Sequence, residues 1–321
     1  MKITKISNDF TPLHKGILFG IDTETEEPTD LLVEIIEGVE ERVLARQHLR
    51  SVTKSQVNIA PYIERTAERT PSQLHNLAIV NIPTTTHRIR IGEVVSEGIT
   101  TSINSDIVTL PSIVSTMPNS RRIARNERDE LLIIANKGSH ISITITTGTN
   151  DGTTILHYAT TGVALLSISP TDLGVDSDSM DVTVSCNDSR LGVVHYEIVP
   201  SFGKGVRLAW ISERGSIERY TFPAVISSQY LADKHSIRTA EGGRVVSSTT
   251  RHIISTASRY EPHATAEALA YIASSPRVWI EDENGCTEVE VLSSTTNKNL
   301  FNEPDCVNIE LLVWSREEVV C

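Results

Sequence analysis

Two acidic side chains at the end of an apolar segment are the residues whose types and spacing most suggest catalysis. Asp22 and Glu24 follow Phe19-Gly20-Ile21, a segment that favours a strand. Such carboxylates, joined by two further acids, can hold two metal ions about 4 Å apart and activate a water molecule. The pattern therefore suggests metal-dependent cleavage of a nucleic-acid backbone as one hypothesis.

A DEDD-type metal-dependent exonuclease using Asp22 and Glu24 needs further elements that the sequence lacks. No Asn-x-x-x-Phe-Asp segment is present, and His263 is followed by Glu267 four positions later instead of by an Asp five positions later. More acidic residues follow Glu24 directly, which favours a solvated acidic loop. We therefore assign no catalytic residue, metal ligand or cofactor, and keep the exonuclease as the less favoured alternative.

The three tryptophans offer a second kind of chemistry. Exposed indole rings of Trp210, Trp279 and Trp314 could form a platform on which a sugar ring stacks. Each of them lies in an apolar segment typical of a strand, which favours packing in a core or an interface. Trp210 and Trp279 are candidate interaction residues, and a glycan- or host-receptor-binding β-sandwich protein is the alternative function.

Composition argues against several partner classes. The chain has 321 residues and a formal net charge of −12, which opposes binding to a phosphate backbone. No apolar run approaches the roughly 20 residues of a membrane span, and the first residues lack the apolar core of a signal peptide. The four cysteines form no C-x-x-C pair. We expect free thiols, synthesis in a reducing cytoplasm, and neither nucleic acid nor membrane as a partner.

Short segments rich in Ser, Thr, Val and Ile predict a mainly β fold with two or three antiparallel β-sandwich-like domains and a few short helices. Gly203 to Phe222 has the full pattern of a β-hairpin, with its turn around Gly215. A short helix is expected from Asn58, as its cap, to Arg69, and another at about 265–275. The predicted division is an N-terminal β domain at 1–110, a linker at 111–128, a sandwich at 129–225, and a C-terminal β unit at 226–321, which could pack with the middle domain.

The predicted linker is polar and basic. Periodicity fades after Thr100, and the segment carries four arginines: Arg121, Arg122, Arg125 and Arg128. These side chains either coat a solvated connector or extended arm, or contact an acidic partner, which in a chain of this charge could be a second copy. The charges alone do not separate the two interpretations.

Four segments together resemble a known class of proteins. They are Ser7-Asn8-Asp9-Phe10-Thr11-Pro12, Val57 to Ile63, the hairpin Leu208 to Phe222, and the helix-strand pair from Ala266 to Trp279. This set resembles virion structural proteins, of the tail, baseplate or neck-ring type, from tailed bacteriophages and prophages of Bacteroidetes. The resemblance implies a non-enzymatic component of the virion, made in the host cytoplasm. It also implies a ring-like homo-oligomer that docks to other virion proteins, and it carries over no functional residue.

Overall fold

A computed structural model describes residues 1–9, 16–66, 70–71, 78–81, 85–101, 110–136, 138–147, 153–160, 162–239, 242–283, 285–297 and 305–314. Strands account for 64% of the structure and helices for 6%. The predicted mainly β class, with β-sandwich-like units, is therefore confirmed.

The N-terminal region consists of two small antiparallel sheets and one helix. Its strands are β1 (Lys2–Lys5), β2 (Leu18–Asp22), β3 (Thr29–Glu37), β4 (Arg42–Val52) and β5 (Lys54–Asn58), followed after the helix α1 (Ala60–Thr66) by β6 (Ala78–Asn81), β7 (Thr85–Ile91), β8 (Val94–Val95) and β9 (Ile99–Thr101). The sheet orders are β1-β2-β5 and β4-β3-β7-β8, with β9 also paired to β7. Asn58 caps α1 as predicted, because its Oδ1 accepts hydrogen bonds from the N–H groups of Ala60 and Ile17.

The middle region is a sandwich of two sheets. Its strands are β10 (Ser112–Val114), β11 (Ser120–Ala124), β12 (Asp129–Ile134), β13 (His140–Thr147), β14 (Thr153–Ala159), β15 (Val163–Ile168), β16 (Ser179–Cys186) and β17 (Ser189–Val199). One sheet has the order β10-β12-β15-β6 and the other the order β11-β17-β16-β13-β14. The alternating residues Ile141, Ile143 and Ile145 all face the core between the sheets, as their period of two predicts.

The segment 111–128 differs from its prediction as a linker or extended arm. It contains β10 and β11, and β11 pairs in parallel with β17, so the segment belongs to both sheets of the middle sandwich. Ile123 and Ala124 are buried, and Arg121 is buried with them. The positions of the domain boundaries stay a prediction.

The C-terminal region is one seven-stranded sheet with a helix on its inner face. Its strands are β18 (Val206–Ile211), β19 (Ile217–Phe222), β20 (Ala224–Thr239), β21 (Gly242–Ala257), β22 (Val278–Asp282), β23 (Gly285–Asn297) and β24 (Cys306–Trp314), in the order β19-β18-β22-β23-β24-β21-β20. The predicted hairpin is confirmed as β18 and β19, with Gly215 at φ 79° in the turn. The predicted second helix is confirmed as α2 (His263–Ala270), which a 3₁₀ turn, Tyr271–Ser274, continues.

The C-terminal sheet curls back on itself. β19 and β20 form its two opposite edges, yet the single residue Pro223 joins them, so the Cα atoms of Phe222 and Ala224 are at most about 7 Å apart. A register shift in β23 after Val291 marks the place where the sheet bends. The curled sheet encloses Trp210, Phe222 and Leu269 in one core.

Candidate functional site

A long two-stranded hairpin is the most prominent surface feature of the described structure. We call the hairpin of β20 and β21 the arm, and its residues 232–250 the tip. Among the described residues, β21 pairs with β24 from Arg251 to Ala257, whereas it pairs with β20 as far as Gly242. The tip therefore extends about eight residues, or roughly 27 Å, past the last ladder with β24.

The arm concentrates exposed apolar side chains. The described residues include 15 large hydrophobic side chains that are exposed, and six of these lie on the arm: Val225, Ile226, Tyr230, Leu231, Ile237 and Val245. Ile226 is 62% exposed, Tyr230 71% and Ile237 51%. Such a concentration on one projecting element is typical of a surface that another molecule covers.

The arm is also basic in an acidic chain. Its sequence contains four Lys or Arg residues and two Asp or Glu residues, whereas the whole chain has a formal net charge of −12. Lys234 and Arg238 are exposed on the tip and have no hydrogen-bond or ion-pair partner among the described residues. The charge of the arm is therefore opposite to that of the chain that carries it.

Cross-strand contacts stiffen the arm. The rings of Tyr230 and His252 stack with centroids 4.2 Å apart and an interplanar angle of 6°, and Ser228 lies 2.8 Å from the His252 ring nitrogen. Arg251, which faces Leu231 across the ladder, donates diagonally to Asp233 at 2.6 Å. Isolated two-stranded hairpins are marginal in water, so these pairs and the pairing with β24 hold the arm in an extended shape.

Arg121, a predicted interaction residue, lies inside the protein. Its guanidinium donates to Asp129 at 2.8 Å and to Ser115 at 2.6 Å, and it lies 3.8 Å from Glu218. Tyr196 donates a further hydrogen bond to Asp129 at 2.8 Å. This arginine therefore links β11 and β12 to β19 within one chain.

The other three predicted arginines also have partners within the chain. Arg122, which is partly exposed, donates to Glu197 at 2.7 Å, and Arg125 donates to the carbonyl of Val175. The carbonyl of Arg128 accepts a hydrogen bond from Arg207. Their role as contacts to an acidic partner stays a prediction, and the structure brings only Arg121 into a buried site.

Trp210 and Trp279 are buried, with exposed fractions of 0% and 2%. Trp210 packs in the core under α2, and Trp279 lies on the opposite side of the sheet, where the guanidinium of Arg277 is 5.0 Å from its ring centroid. Neither indole offers a free face for a sugar. The side chain of Trp314 lies outside the described residues.

A second buried ion-pair network, which the sequence did not predict, joins the middle sandwich to the C-terminal sheet. Arg219 has no solvent exposure; its Nη2 donates to Glu130 at 3.1 Å and its Nε to Glu281 at 2.9 Å. Arg207 donates to the other oxygen of Glu281 at 3.2 Å and lies 3.0 Å from Glu127. We call these five residues the Arg219 network.

Electrostatics keep two carboxylates of these networks, Asp129 and Glu281, ionised. Burial alone would raise the pKa of Asp129 and Glu281, but the positive charge of Arg121 beside Asp129, and of Arg219 and Arg207 beside Glu281, lowers both pKa values below the ordinary range. Removing the Arg121 charge would leave the buried Asp129 without its closest cation. The networks therefore fix the orientation of the C-terminal sheet, and with it the base of the arm.

A cavity of about 170 Å³ lies beside Arg121, between the middle sandwich and α2. Charged groups of both signs line it, including Arg122 and Glu261, and the Oδ1 atom of Asp129 has no hydrogen-bond partner among the described residues. A polar cavity of this size holds ordered water well, and water would supply the missing donor to Asp129.

The acidic pair Asp22 and Glu24 is held by local interactions. Asp22 forms an ion pair with Lys54 at 2.9 Å, and its Oδ1 accepts a hydrogen bond from the N–H of Glu24. The bond from Lys54 is the main reason that the pKa of Asp22 is lowered. Across the described ranges, no three His, Cys, Asp or Glu side chains are arranged to hold a metal ion.

Comparisons with known proteins show a partial structural likeness. No family model and no curated protein matches the sequence. Two solved chains that resemble this one come from the tail of an empty gene transfer agent particle and from the virion of a native gene transfer agent particle. Their sequence identities are 12% and 10% and their TM-scores 0.26 and 0.25. Each alignment covers 37% of this chain and 98% of the other chain. A likeness at these TM-scores shows too little shared fold to transfer a function.

Among the described helices, none is long and apolar enough to cross a membrane.

Proposed function

We propose that this chain is a non-enzymatic structural component of a phage tail, baseplate or neck assembly that acts by self-association and by docking to other virion proteins. The observation that carries the proposal is the arm, which projects exposed apolar and basic side chains past the sheet. The location in a virion follows from the resemblance of the four sequence segments. The assignment to phages of Bacteroidetes has the same basis and stays a prediction.

The free edge of β20 supports an assembly role. β20 is the last strand of its sheet, and no described strand pairs with the backbone N–H and C=O groups of its outer edge. Monomeric proteins usually cover such edges or keep them short, because another chain can add a strand there. An edge strand of 16 residues that also exposes Ile226 and Tyr230 fits a partner surface better than a permanently solvated one.

The connection of the arm to the body also fits this role. The arm follows β19 after the single residue Pro223, and β19 carries Arg219 into the buried network. A contact made by the arm is therefore connected through β19 to the middle sandwich. Repeated copies joined through such an arm would keep a defined angle to one another.

The other two functional hypotheses gain no support from the geometry. A glycan platform needs exposed aromatic faces, and Trp210 and Trp279 are buried. A two-metal nuclease needs free carboxylates, and Asp22 is bound to Lys54. We therefore propose no second function.

The test is self-association of a variant with a less apolar arm. In the double variant Ile226→Ser/Ile237→Ser, we expect the self-association constant to fall by about tenfold or more, because each isoleucine contributes roughly 1 kcal/mol when its apolar surface is buried on contact. Sedimentation velocity over a concentration series measures it, with circular dichroism to show that the fold is kept.

The matched control changes two exposed aliphatic side chains outside the arm. Leu32→Ser/Val39→Ser removes side chains that are also exposed, on β3 and on the turn that follows it, and should leave association unchanged. Equal association of both double variants and the intact chain would refute the arm as the assembly surface.

A further inference from the structure

We propose that the arm of one copy docks on the outer face of the C-terminal sheet of a second copy, on the patch that carries Glu288, Glu290 and Glu310. This inference rests on the proposed function, because it names the surface that the arm contacts. We call these three residues together with Leu292 the acidic face.

The basic groups of the tip lie on one side of the arm. Tyr230, Lys234 and Arg238 stand four positions apart along β20, and the register shift after His235 leaves its extra residue on β21, so all three lie on the same side of β20. Lys234 and Arg238 are thus about 13 Å apart, and Tyr230 is an exposed aromatic on the same side, nearer the body. This side of the arm presents one aromatic ring followed by two cations.

The acidic face combines charges with an exposed apolar side chain. Glu290 is exposed and has no partner among the described residues, and Glu288 is exposed and paired with Arg277 at 2.7 Å. Glu310 on the neighbouring strand accepts a hydrogen bond from Ser293, and Leu292 is exposed between the carboxylates at the register shift. Besides Glu288, which is paired with Arg277, the two anions Glu290 and Glu310 beside Leu292 complement two cations beside an aromatic ring.

The two surfaces cannot meet within one copy. β23, which carries Glu288 and Glu290, lies about 14 Å from β20 along the sheet, and β24, which carries Glu310, lies about 10 Å from it. The arm also leads Lys234 past the last described pairing of β21 with β24. These separations exceed the Debye length of about 8 Å at physiological salt. The basic tip and the acidic face of one copy therefore stay free for other copies.

A second copy is the partner that this complementarity favours. Both halves of the contact belong to the same chain at different places, so each copy can offer its arm to one neighbour and its acidic face to another. Such a head-to-tail contact builds either a closed ring or a filament. A two-fold dimer with exchanged arms uses the same pairs and is distinguished by the mass of the assembly.

Charge reversal on the two surfaces tests the inference. Lys234→Glu/Arg238→Glu gives an arm variant, and Glu290→Lys/Glu310→Lys gives a face variant. Each variant alone would bring like charges together, so we expect each to associate about tenfold or more weakly than the intact chain at low salt. An equimolar mixture restores opposite charges at every contact, and we expect association within about threefold of the intact chain.

The control reverses two exposed basic residues outside the arm, Arg190→Glu/Lys204→Glu, which changes the net charge as much as the arm variant does. It should associate as the intact chain does, because its arm and its acidic face are both unchanged. Sedimentation velocity of the single proteins and of the mixtures measures all these constants.

The outcomes separate this inference from the proposed function. Weak association of each variant by itself, together with restored association of their equimolar mixture, supports docking on the acidic face. Loss of association in the arm variant without rescue by the face variant overturns the acidic face as the docking surface and leaves the arm as an assembly element. Full association of the arm variant overturns this inference, and the Ile226→Ser/Ile237→Ser variant then decides whether the arm takes part at all.

Discussion

Replacing Arg219 by methionine should destabilise the protein more than any surface charge change. Arg219 is fully buried, and its guanidinium is shared by Glu130, which is also buried, and by Glu281. A methionine side chain at this position would fill most of the volume but would remove the guanidinium that lies 3.0 Å from the buried carboxylate of Glu130. Breaking a buried ion pair in this way costs about 3–5 kcal/mol, a large part of the 5–15 kcal/mol that typical domains have.

Urea unfolding, followed by tryptophan fluorescence, measures the effect. Trp210 and Trp279 lie in the C-terminal sheet that carries Arg219, so their signal reports the relevant transition. With a urea dependence of about 2 kcal/mol per molar, the loss corresponds to a midpoint lowered by roughly 2 M. The double variant Arg219→Met/Glu130→Met removes both charges and should recover most of the loss, because apolar replacements of a buried pair are often nearly neutral.

The exposed pair of Arg277 and Glu288 is the control. Its two atoms are 2.7 Å apart, as close as those of a buried pair, yet both side chains are partly exposed. Arg277→Met should cost no more than about 1 kcal/mol, since solvent screens such pairs and methionine still covers the ring of Trp279. If Arg219→Met is as mild as Arg277→Met, or if the double variant is no better than the single one, the network does not join the two regions as described.

The pH dependence of stability, one thiol and one glycine give three more predictions. The pKa values of Asp129 and Glu281 are lowered in the folded state, so their stabilising effect is present above the ordinary carboxyl pKa of about 4 and is lost as the pH falls through the lowered values. The urea midpoint should therefore be flat from about pH 6 to 8 and fall steeply below about pH 4. Burial and the nearby charge of Glu281 raise the pKa of the Cys286 thiol to about 11. The alkylation rate of Cys286, followed by peptide mass spectrometry, should therefore keep rising with pH up to about that value. A plateau of the rate near about pH 9 would contradict the raised pKa. Gly205→Ala should lower thermal stability by about 1–3 kcal/mol, because the added Cβ would lie 2.8 Å from the carbonyl oxygen of Phe222. An unchanged melting curve would contradict this prediction and show that the β18–β19 pairing can shift to make room for the methyl group.

Elements with one buried face were predictable from the sequence. The alternation of Ile141, Ile143 and Ile145 indicated a half-buried strand, and the structure places all three in the core of the middle sandwich. The hairpin of β18 and β19 was equally clear, because apolar residues alternate on both sides of a turn that contains Gly215. In these segments the local pattern and the final packing agree.

The tip of the arm was not predictable, whereas the strand from Arg251 to Ser258 was, because the described side chains of the tip are exposed or only partly buried on both faces. Ser227 to Gly243 shows no periodicity, since a two-stranded ribbon in solvent has no core side to select apolar residues at every second position. Its strands form because β21 continues a ladder that starts beside β24, and because pairs such as Tyr230 and His252 support it. The only local signal was Gly242-Gly243, which favours a turn.

The interpretation of the arginines depended on residues far away in the sequence. Arg121 stands 97 positions before Glu218, and Arg219 stands 89 positions after Glu130, so no local pattern could pair them. A basic cluster in a polar segment is most often solvated, which made a linker the natural interpretation of 111–128. The fold instead brings acids from β12 and β19 to Arg121 and buries all of them together.

The central claim is that the arm joins copies of this chain, and shortening the arm tests it most directly. Ala232 and Thr250 face each other in the ladder, so residues 233–249 can be replaced by Asn-Gly, which closes a two-residue hairpin turn. The intact chain should form oligomers whose mass rises with concentration in sedimentation equilibrium, and the shortened chain should stay monomeric while it unfolds at the same urea concentration. Equal association of the two chains, or an intact chain that remains monomeric at every concentration, would contradict the account.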